Sequence, residues 1–395
     1  MNAKRPLTIG IVAGEQSGEN LAVDLVESIA ERTGSMPRLV GVGGGRLVDM
    51  GLRSVFDPAE IAITGVTAVV ASLPRLVLRI RQTVAALVSA RPDVIVFIDS
   101  PDFSLRVARR VKRLLPETPI VKYVSPTVWA WRPGRAKKMA AYVDHVLAIL
   151  PFEPDVMRDL GGPETSYVGH PLAADPELEA VWMARRRKQA SQENHDLELL
   201  VLPGSRTGEI RALLPDFGKA ISILHDRGHH LRVTVPTLPR LEPEVRRMTA
   251  EWPVTPRITV TPEDKLSAFR EADVALAASG TIILELALAG VPVISCYRTD
   301  YLIRLAISMI HAWSAALPNI IADRPIVPEY VDYTIRPGML ARRIEELAAP
   351  KSLAAKAQGN GFRRVRELMA VDEKPGAMAA RILLDLASGS EKSRP

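Results

Sequence analysis

The sequence predicts an α/β protein made of two αβα units, each a parallel sheet with helices on both faces. Two observations carry this. Short apolar runs, several of them closed by glycine or a carboxylate, alternate with helix-compatible segments, the pattern of parallel strands joined by crossover helices. The alternation lapses into a charged stretch at 173–197 and then resumes, and 395 residues suit two domains. The boundaries that follow are a first unit over 1–172, a linker or exposed helix over 173–197, a second unit over 198–350 and a helical tail over 351–395.

In order, residues 7–13 read as a buried strand ending at Gly14, and Gly18–Arg32 as a helix with Leu21, Leu25 and Ile29 on one face. Arg38–Val42 is a second strand, running into Gly43, Gly44 and Gly45. Asp93–Ile98 is a third, closed by Asp99 and followed by a helix from about Phe103 to Leu115. Apolar runs at 119–124, 145–150 and 166–168 continue the sheet. Beyond the charged stretch come strands at 197–202, 230–236, 258–260, 274–277 and 291–297, with helices at 210–225 and 281–289. The segment 338–387 is helical with a break at Pro375. Ligands of open parallel sheets lie off the carboxyl ends of the strands, so two such units facing one another are expected to hold their chemistry in a cleft.

Composition narrows the classes. With 47% of residues in the hydrophobic set, general disorder is excluded. Cys296, the one cysteine, excludes an intramolecular disulfide framework and points to a cytosolic or cytosol-facing protein. Glu15 interrupts the first apolar run too early for a signal peptide, and no run of about 18 charge-free apolar residues suggests a transmembrane helix. A formal charge of +6 leaves nucleic acid, an anionic membrane or a phosphorylated small molecule as partners. Seven histidines without metal-ligand spacing, and no Asp-x-Asp motif, give no reason to expect a metal or another cofactor.

Several junctions carry polar chemistry. Gly14-Glu15-Gln16-Ser17-Gly18 brings small residues and a helix start to the end of the first strand; it is either a ligand approach or a plain turn with Ser17 as N-cap. Asp99 and Asp102 follow the third strand: a rigidly held strand-end carboxylate can act as general base toward a hydroxyl, or it can cap the next helix. Tyr123–Lys138 sets Trp129 and Trp131 beside Arg132, Arg135, Lys137 and Lys138, which suits a loop lining the cleft or simple packing beside a solvated face. Gly204-Ser205-Arg206 can cradle a phosphate, as can Ser279-Gly280-Thr281 at the start of a helix. Glu285 lies one turn after Thr281, where a carboxylate can accept hydrogen bonds from a ribose diol. The stretch 61–80 is apolar, is broken by Pro74, and carries Arg75 and Arg79. It reads as a buried helix or as a surface of Val69, Val70, Leu73, Leu76 and Val77 that touches membrane or holds acyl chains.

Gly14–Glu19, Ile98–Phe103, Tyr123–Arg132, Leu202–Arg206, Ser279–Thr281 with Glu285, and Leu317-Pro318-Asn319, in this order, closely resemble the lipid-A-disaccharide synthase family. That family belongs to the GT-B glycosyltransferases, built of two Rossmann-like domains facing a cleft. The resemblance spans residues 7–330 and allows C-terminal helices that cross back to the first domain. It implies condensation of UDP-2,3-diacylglucosamine with 2,3-diacylglucosamine 1-phosphate, giving a β-1,6-linked disaccharide 1-phosphate and UDP by inversion. The setting it implies is peripheral, at the cytoplasmic face of the inner membrane of a Gram-negative bacterium, without nucleic acid; it also allows a homodimer.

By the same resemblance Asp99 is the general base. Ser205, Arg206, Ser279, Gly280, Thr281, Glu285 and Asn319 bind the donor. Glu15, Ser17, Trp129 and Arg132 belong to the cleft or acceptor side, and the 61–80 stretch is the membrane and acyl surface. Glu19 and Ser100 depart from the Asp and Ala common in the family. Another UDP-sugar transferase or epimerase shares the UDP site without the Asp99 strand end or the acyl surface. A non-catalytic nucleotide- or RNA-binding protein would show salt-dependent polynucleotide binding.

Overall fold

Two sheets, each wholly parallel, organise the chain. The computed structural model describes residues 6–61, 73–188, 196–299, 310–349 and 351–391. The first sheet contains β1 (Thr8–Ala13), β2 (Arg38–Val42), β3 (Arg53–Ser54), β4 (Val94–Ile98), β5 (Ile120–Tyr123), β6 (His145–Ala148) and β7 (Glu164–Tyr167), in the order β3-β2-β1-β4-β5-β6-β7. The second contains β8 (Leu197–Leu202), β9 (Leu231–Pro236), β10 (Arg257–Thr259), β11 (Val274–Ala278), β12 (Val293–Tyr297) and β13 (Glu329–Val331), ordered β10-β9-β8-β11-β12-β13. In both, the winding reverses beside the first strand, the doubly wound arrangement of nucleotide-binding folds.

The central strands are apolar throughout because both sheet faces are covered: all of β1 and all of β4 are buried. In the first unit one face packs against helix Gln16–Thr33, whose Leu21, Leu25 and Ile29 form the stripe the periodicity predicts. The other face packs against helices Leu73–Ala90 and Pro101–Leu114, in part through Leu87, Val107 and Val111. In the second unit, helices Thr207–Asp226 and Pro337–Ala348 cover one face, and helices Pro262–Glu271 and Thr281–Ala289 the other.

The division of the chain differs from the expected boundaries in two places. One unit comprises Met1–Pro171 with Val371–Pro395, the other Leu172–Ala370. The stretch expected as a linker holds helix Pro176–Lys188, which belongs to the second unit and packs on helices Pro262–Glu271 and Thr281–Ala289 through Leu178 and Val181. Within the basic run 185–188, Arg185 is buried: its guanidinium donates to the carbonyls of Phe269 (2.8 Å), Ala272 (2.5 Å) and Gly290 (3.0 Å), closing the end of the neighbouring helix. The tail is likewise split. Helix Leu353–Met369 stays with the second unit, through Phe362 and Val365, whereas Pro375–Glu391 packs on helix Gln16–Thr33 of the first.

Replacing Arg185 by alanine orphans those buried carbonyls. Urea unfolding of Arg185→Ala should show a loss of about 2–4 kcal/mol in the second unit's stability.

Candidate active site

Each sheet has a switch point, β1 beside β4 in the first and β8 beside β11 in the second, where the crossovers diverge and leave a crevice at the carboxyl ends. The residues singled out in the sequence fall at these two places: Glu15 and Ser17 after β1, Asp99 after β4, Ser205 and Arg206 after β8, and Ser279, Gly280 and Thr281 after β11.

In the first unit the chain leaves β4 through two consecutive left-handed residues, Asp99 (φ 53°) and Ser100 (φ 41°). Each costs about 1–2 kcal/mol for a side chain other than glycine, so other contacts must hold the turn. Ser104 Oγ donates to the carbonyls of Asp99 (2.8 Å) and Ser100 (2.6 Å). Lys122 Nζ donates to the Asp99 carbonyl at 2.7 Å. Ser17 Oγ reaches Asp99 Oδ2 at 3.5 Å. Gly14 is required by space: a Cβ there would come within 2.7 Å of Ser100 Oγ. Glu15 lines a pocket of about 500 Å³ with Gly44, Gly45 and Asp57. Burial pushes its pKa up, the Asp99 charge pushes it further, and Lys122 opposes both. Glu19 accepts from the backbone N–H groups of Arg46 (2.8 Å) and Leu47, so it braces the helix that starts at Gly45.

The aromatic loop is divided between packing and solvent. Trp129 is held by packing: its Nε1 donates to Glu153 Oε1 (3.4 Å) and its ring stands edge-on to Phe152. Glu153, which sequence reasoning missed, is buried, accepts from Leu150 N at 3.1 Å, and has its pKa pushed up to about 8 by desolvation. Arg132 is exposed and lies over the Trp131 ring, 4.9 Å from its centroid. Asp102 pairs with Arg135 at 2.8 Å, tying the loop to helix Pro101–Leu114. His170 is buried and its pKa falls to about 4, again through desolvation.

In the second unit all the predicted donor residues except Asn319 converge on one pocket of about 530 Å³, lined by Ser205, Arg206, Ser279, Gly280, Thr281 and Glu285, together with Thr237, Thr261 and Lys265. Glu209 shapes the loop: it accepts from the N–H groups of Ser205 (3.0 Å) and Arg206 (3.3 Å) and pairs with the Arg206 guanidinium at 2.7 Å. Arg206 is 73% exposed, and an ion pair in that setting is worth well under about 1 kcal/mol, so an incoming anion can take the guanidinium over. Glu285 is not an unpaired carboxylate among apolar neighbours. Lys265, twenty residues earlier on helix Pro262–Glu271, binds its Oε2 at 2.8 Å. Nothing in the local sequence announces that pairing.

Asn319, expected among the donor residues, lies in the interior of the second unit. It is 1% exposed, its Oδ1 accepts from the N–H groups of Ile326 (2.8 Å) and Val327 (2.7 Å), and its Nδ2 donates to Ser314 Oγ and the Val327 carbonyl. It splints the turn between helix Leu317–Ala322 and β13 and does not line the 530 Å³ pocket. Of the apolar surface, Val69 and Val70 lie outside the described residues. Leu73 and Val77 are exposed on helix Leu73–Ala90 beside Leu78, whereas Leu76 packs against the core. Among the described residues there is no group of three or more metal-ligating side chains and no helix long and apolar enough to cross a membrane.

A family model described as lipid-A-disaccharide synthetase matches residues 9–378. The chain belongs to the lipid-A-disaccharide synthase family. It is 43% identical over 384 residues to the lipid-A-disaccharide synthase of Rhodopseudomonas palustris strain CGA009, with 97% of each chain covered. In fold it is similar to Acinetobacter baumannii MurG (TM-score 0.59, 15% identity, 96% of this chain and 100% of that one) and to S. aureus MnaA solved with UDP (TM-score 0.58, 12% identity, 99% of each). The lipid-A-disaccharide synthase fold seen here is thus of the GT-B type, and the protein is a glycosyltransferase.

Buried Glu153 gives this family member a pH signature. The folded state keeps the Glu153 proton up to about pH 8, while the unfolded chain releases it near 4.5. Between those values the folded state binds the extra proton, so Glu153 makes stability fall as pH rises through the window. His170 and Lys122, whose lowered pKa values act in the opposite sense, are common to wild type and Glu153→Gln, so thermal melts of the two from pH 5 to 8.5 should show the variant gaining on wild type as pH rises.

Proposed function

We propose that the protein joins UDP-2,3-diacylglucosamine to 2,3-diacylglucosamine 1-phosphate. The products are the β-1,6-linked disaccharide 1-phosphate and UDP. The observation that carries this reading is the placement of a strand-end carboxylate at one switch point and a phosphate-sized cradle, with a diol-accepting carboxylate, at the other. The second-unit pocket takes UDP: the start of helix Thr281–Ala289 and Arg206 face the diphosphate, and Glu285, aimed by Lys265, accepts from the ribose hydroxyls. The S. aureus structure with UDP shares this fold and supports a uridine nucleotide as ligand.

The reaction is an in-line displacement. Asp99 takes the proton of the acceptor 6-hydroxyl as the oxygen attacks the anomeric carbon, and the bond to the diphosphate breaks with its electron pair leaving on UDP. Arg206 and the helix dipole stabilise the charge that grows there. One displacement inverts an α-linked donor to a β-linked product, so no covalent enzyme intermediate is needed. Glu15, Ser17 and Arg132 belong to the acceptor side. Leu73 and Val77, exposed beside Arg75 and Arg81, meet the anionic surface of the inner membrane, where both acylated substrates reside.

Purified protein given both substrates should release UDP and form the disaccharide; absence of product would remove the reading. Asp99→Asn should lower turnover by about 10²–10⁴-fold while UDP still binds. Arg206→Ala should lower kcat/KM by about 10²-fold, and unchanged kinetics would leave its loop an ordinary turn. The double variant Leu73→Asp, Val77→Asp should reduce binding to vesicles containing anionic lipid by at least about tenfold.

A further inference from the structure

Lysine is the residue least suited to the middle of a buried strand, yet β5 carries one. All four of its residues are buried, and Lys122 is 1% exposed. Its neighbours in register, Phe97 on β4 and Val146 on β6, are apolar. A desolvated ammonium costs several kcal/mol unless it is surrounded by acceptors, so the fold must return something for it. Its environment shows what. The Nζ has three donors and finds three carbonyls: Asp99 at 2.7 Å, Tyr123 at 3.1 Å and Phe97 at 3.4 Å. Two of these flank the end of β4, where the chain enters the left-handed Asp99–Ser100 turn.

The charges acting on the ammonium are Asp99, at the end of β4, and Glu15, at the entrance of helix Gln16–Thr33. Desolvation brings the Lys122 pKa down to about 7, against the pull of those two carboxylates. Its cation in turn opposes the upward push that burial and Asp99 exert on Glu15. A hydroxyl or an amide could cap the carbonyls; only a cation also offsets the charges of Asp99 and Glu15. Sequence reasoning passed over this residue because it took 119–124 as one apolar run of the sheet.

We propose that Lys122 is a positioning residue for the transfer reaction: from beneath the β4 turn it fixes the backbone that presents Asp99 and supplies the positive charge that lets Asp99 and Glu15 stand together as carboxylates. This rests on the reading of Asp99 as general base. Lys122 touches no substrate; it acts through the two acids.

The test compares wild type, Asp99→Asn, Lys122→Met and Lys122→Gln in the disaccharide assay over pH 5.5–9, with UDP binding to each protein measured by calorimetry. Lys122→Gln keeps an amide able to donate to the carbonyls and removes only the charge, so it separates the two roles and guards against a misfolded methionine variant. Both lysine variants should bind UDP as wild type does. Both should lose at least about tenfold in kcat with little change in donor KM, and the acid limb of the pH–rate profile should move up by about 1 pH unit. Full kcat with an unmoved acid limb in either folded variant overturns the proposal. Full activity of Asp99→Asn, or none in the wild type, instead overturns the reading of Asp99, whatever the lysine variants do. A measurement on unaltered Lys122 decides the case in which neither variant folds. In protein with 13Cε-labelled lysine, one resonance should titrate near neutral pH and shift to a lower midpoint in Asp99→Asn. A midpoint indifferent to Asp99 overturns the proposal as well.

Discussion

Parallel pairing is the constraint from which the site follows. Adjacent parallel strands cannot be joined by a tight hairpin, so each connection crosses a face of the sheet and every strand-to-helix junction falls on the same edge. In both sheets here that edge gathers the polar residues of the candidate site: Glu15, Ser17 and Asp99 in the first, Ser205, Arg206, Ser279, Thr281 and Glu285 in the second. The reversal of winding then opens the only crevices such a sheet provides at those junctions. Chemistry sits where the topology leaves room.

The two units meet that constraint with opposite electrostatics. The first buries titratable groups: Lys122 within the sheet and a protonated Glu153 under the aromatic loop, with two strained residues held between β4 and the following helix. Such an arrangement gives a rigid carboxylate, suited to proton transfer that depends on a fixed angle and distance. Around its pocket the second pairs its charges with one another, Arg206 with Glu209 and Lys265 with Glu285. Pairs of that kind are weak enough to exchange partners, which suits a pocket that must accept a polyanion and let it go.

Much of this was legible in the sequence, and the misses share a cause. Strand ends are local events, so Asp99, Ser205, Arg206 and Thr281 could be placed from the apolar run before them and the helix after them. Glu285 was legible one turn into its helix, but its partner Lys265 lies on a different helix and is joined to it only by the fold. Arg185 looked like part of a solvated basic cluster because three of its neighbours in sequence are cationic; the carbonyls that hold it are more than eighty residues away. Trp129 and Asn319 carry polar groups that looked available; the first is spent on the Glu153 carboxyl and the second on the turn at Ile326 and Val327. Residue type and spacing report what a side chain can do, whereas its partner is a property of tertiary packing.

The helix Pro375–Glu391 places Ala379, Ala380, Leu383 and Ala387 in the core of the first unit, against Leu21, Leu25 and Ile29. During synthesis the ribosome therefore makes the whole of Leu172–Ala370 before the residues that seal the earlier unit have been translated. The second unit, contiguous in sequence, is free to fold as it emerges. The first must wait with an apolar groove open along helix Gln16–Thr33, and in that interval it is a natural client for a chaperone.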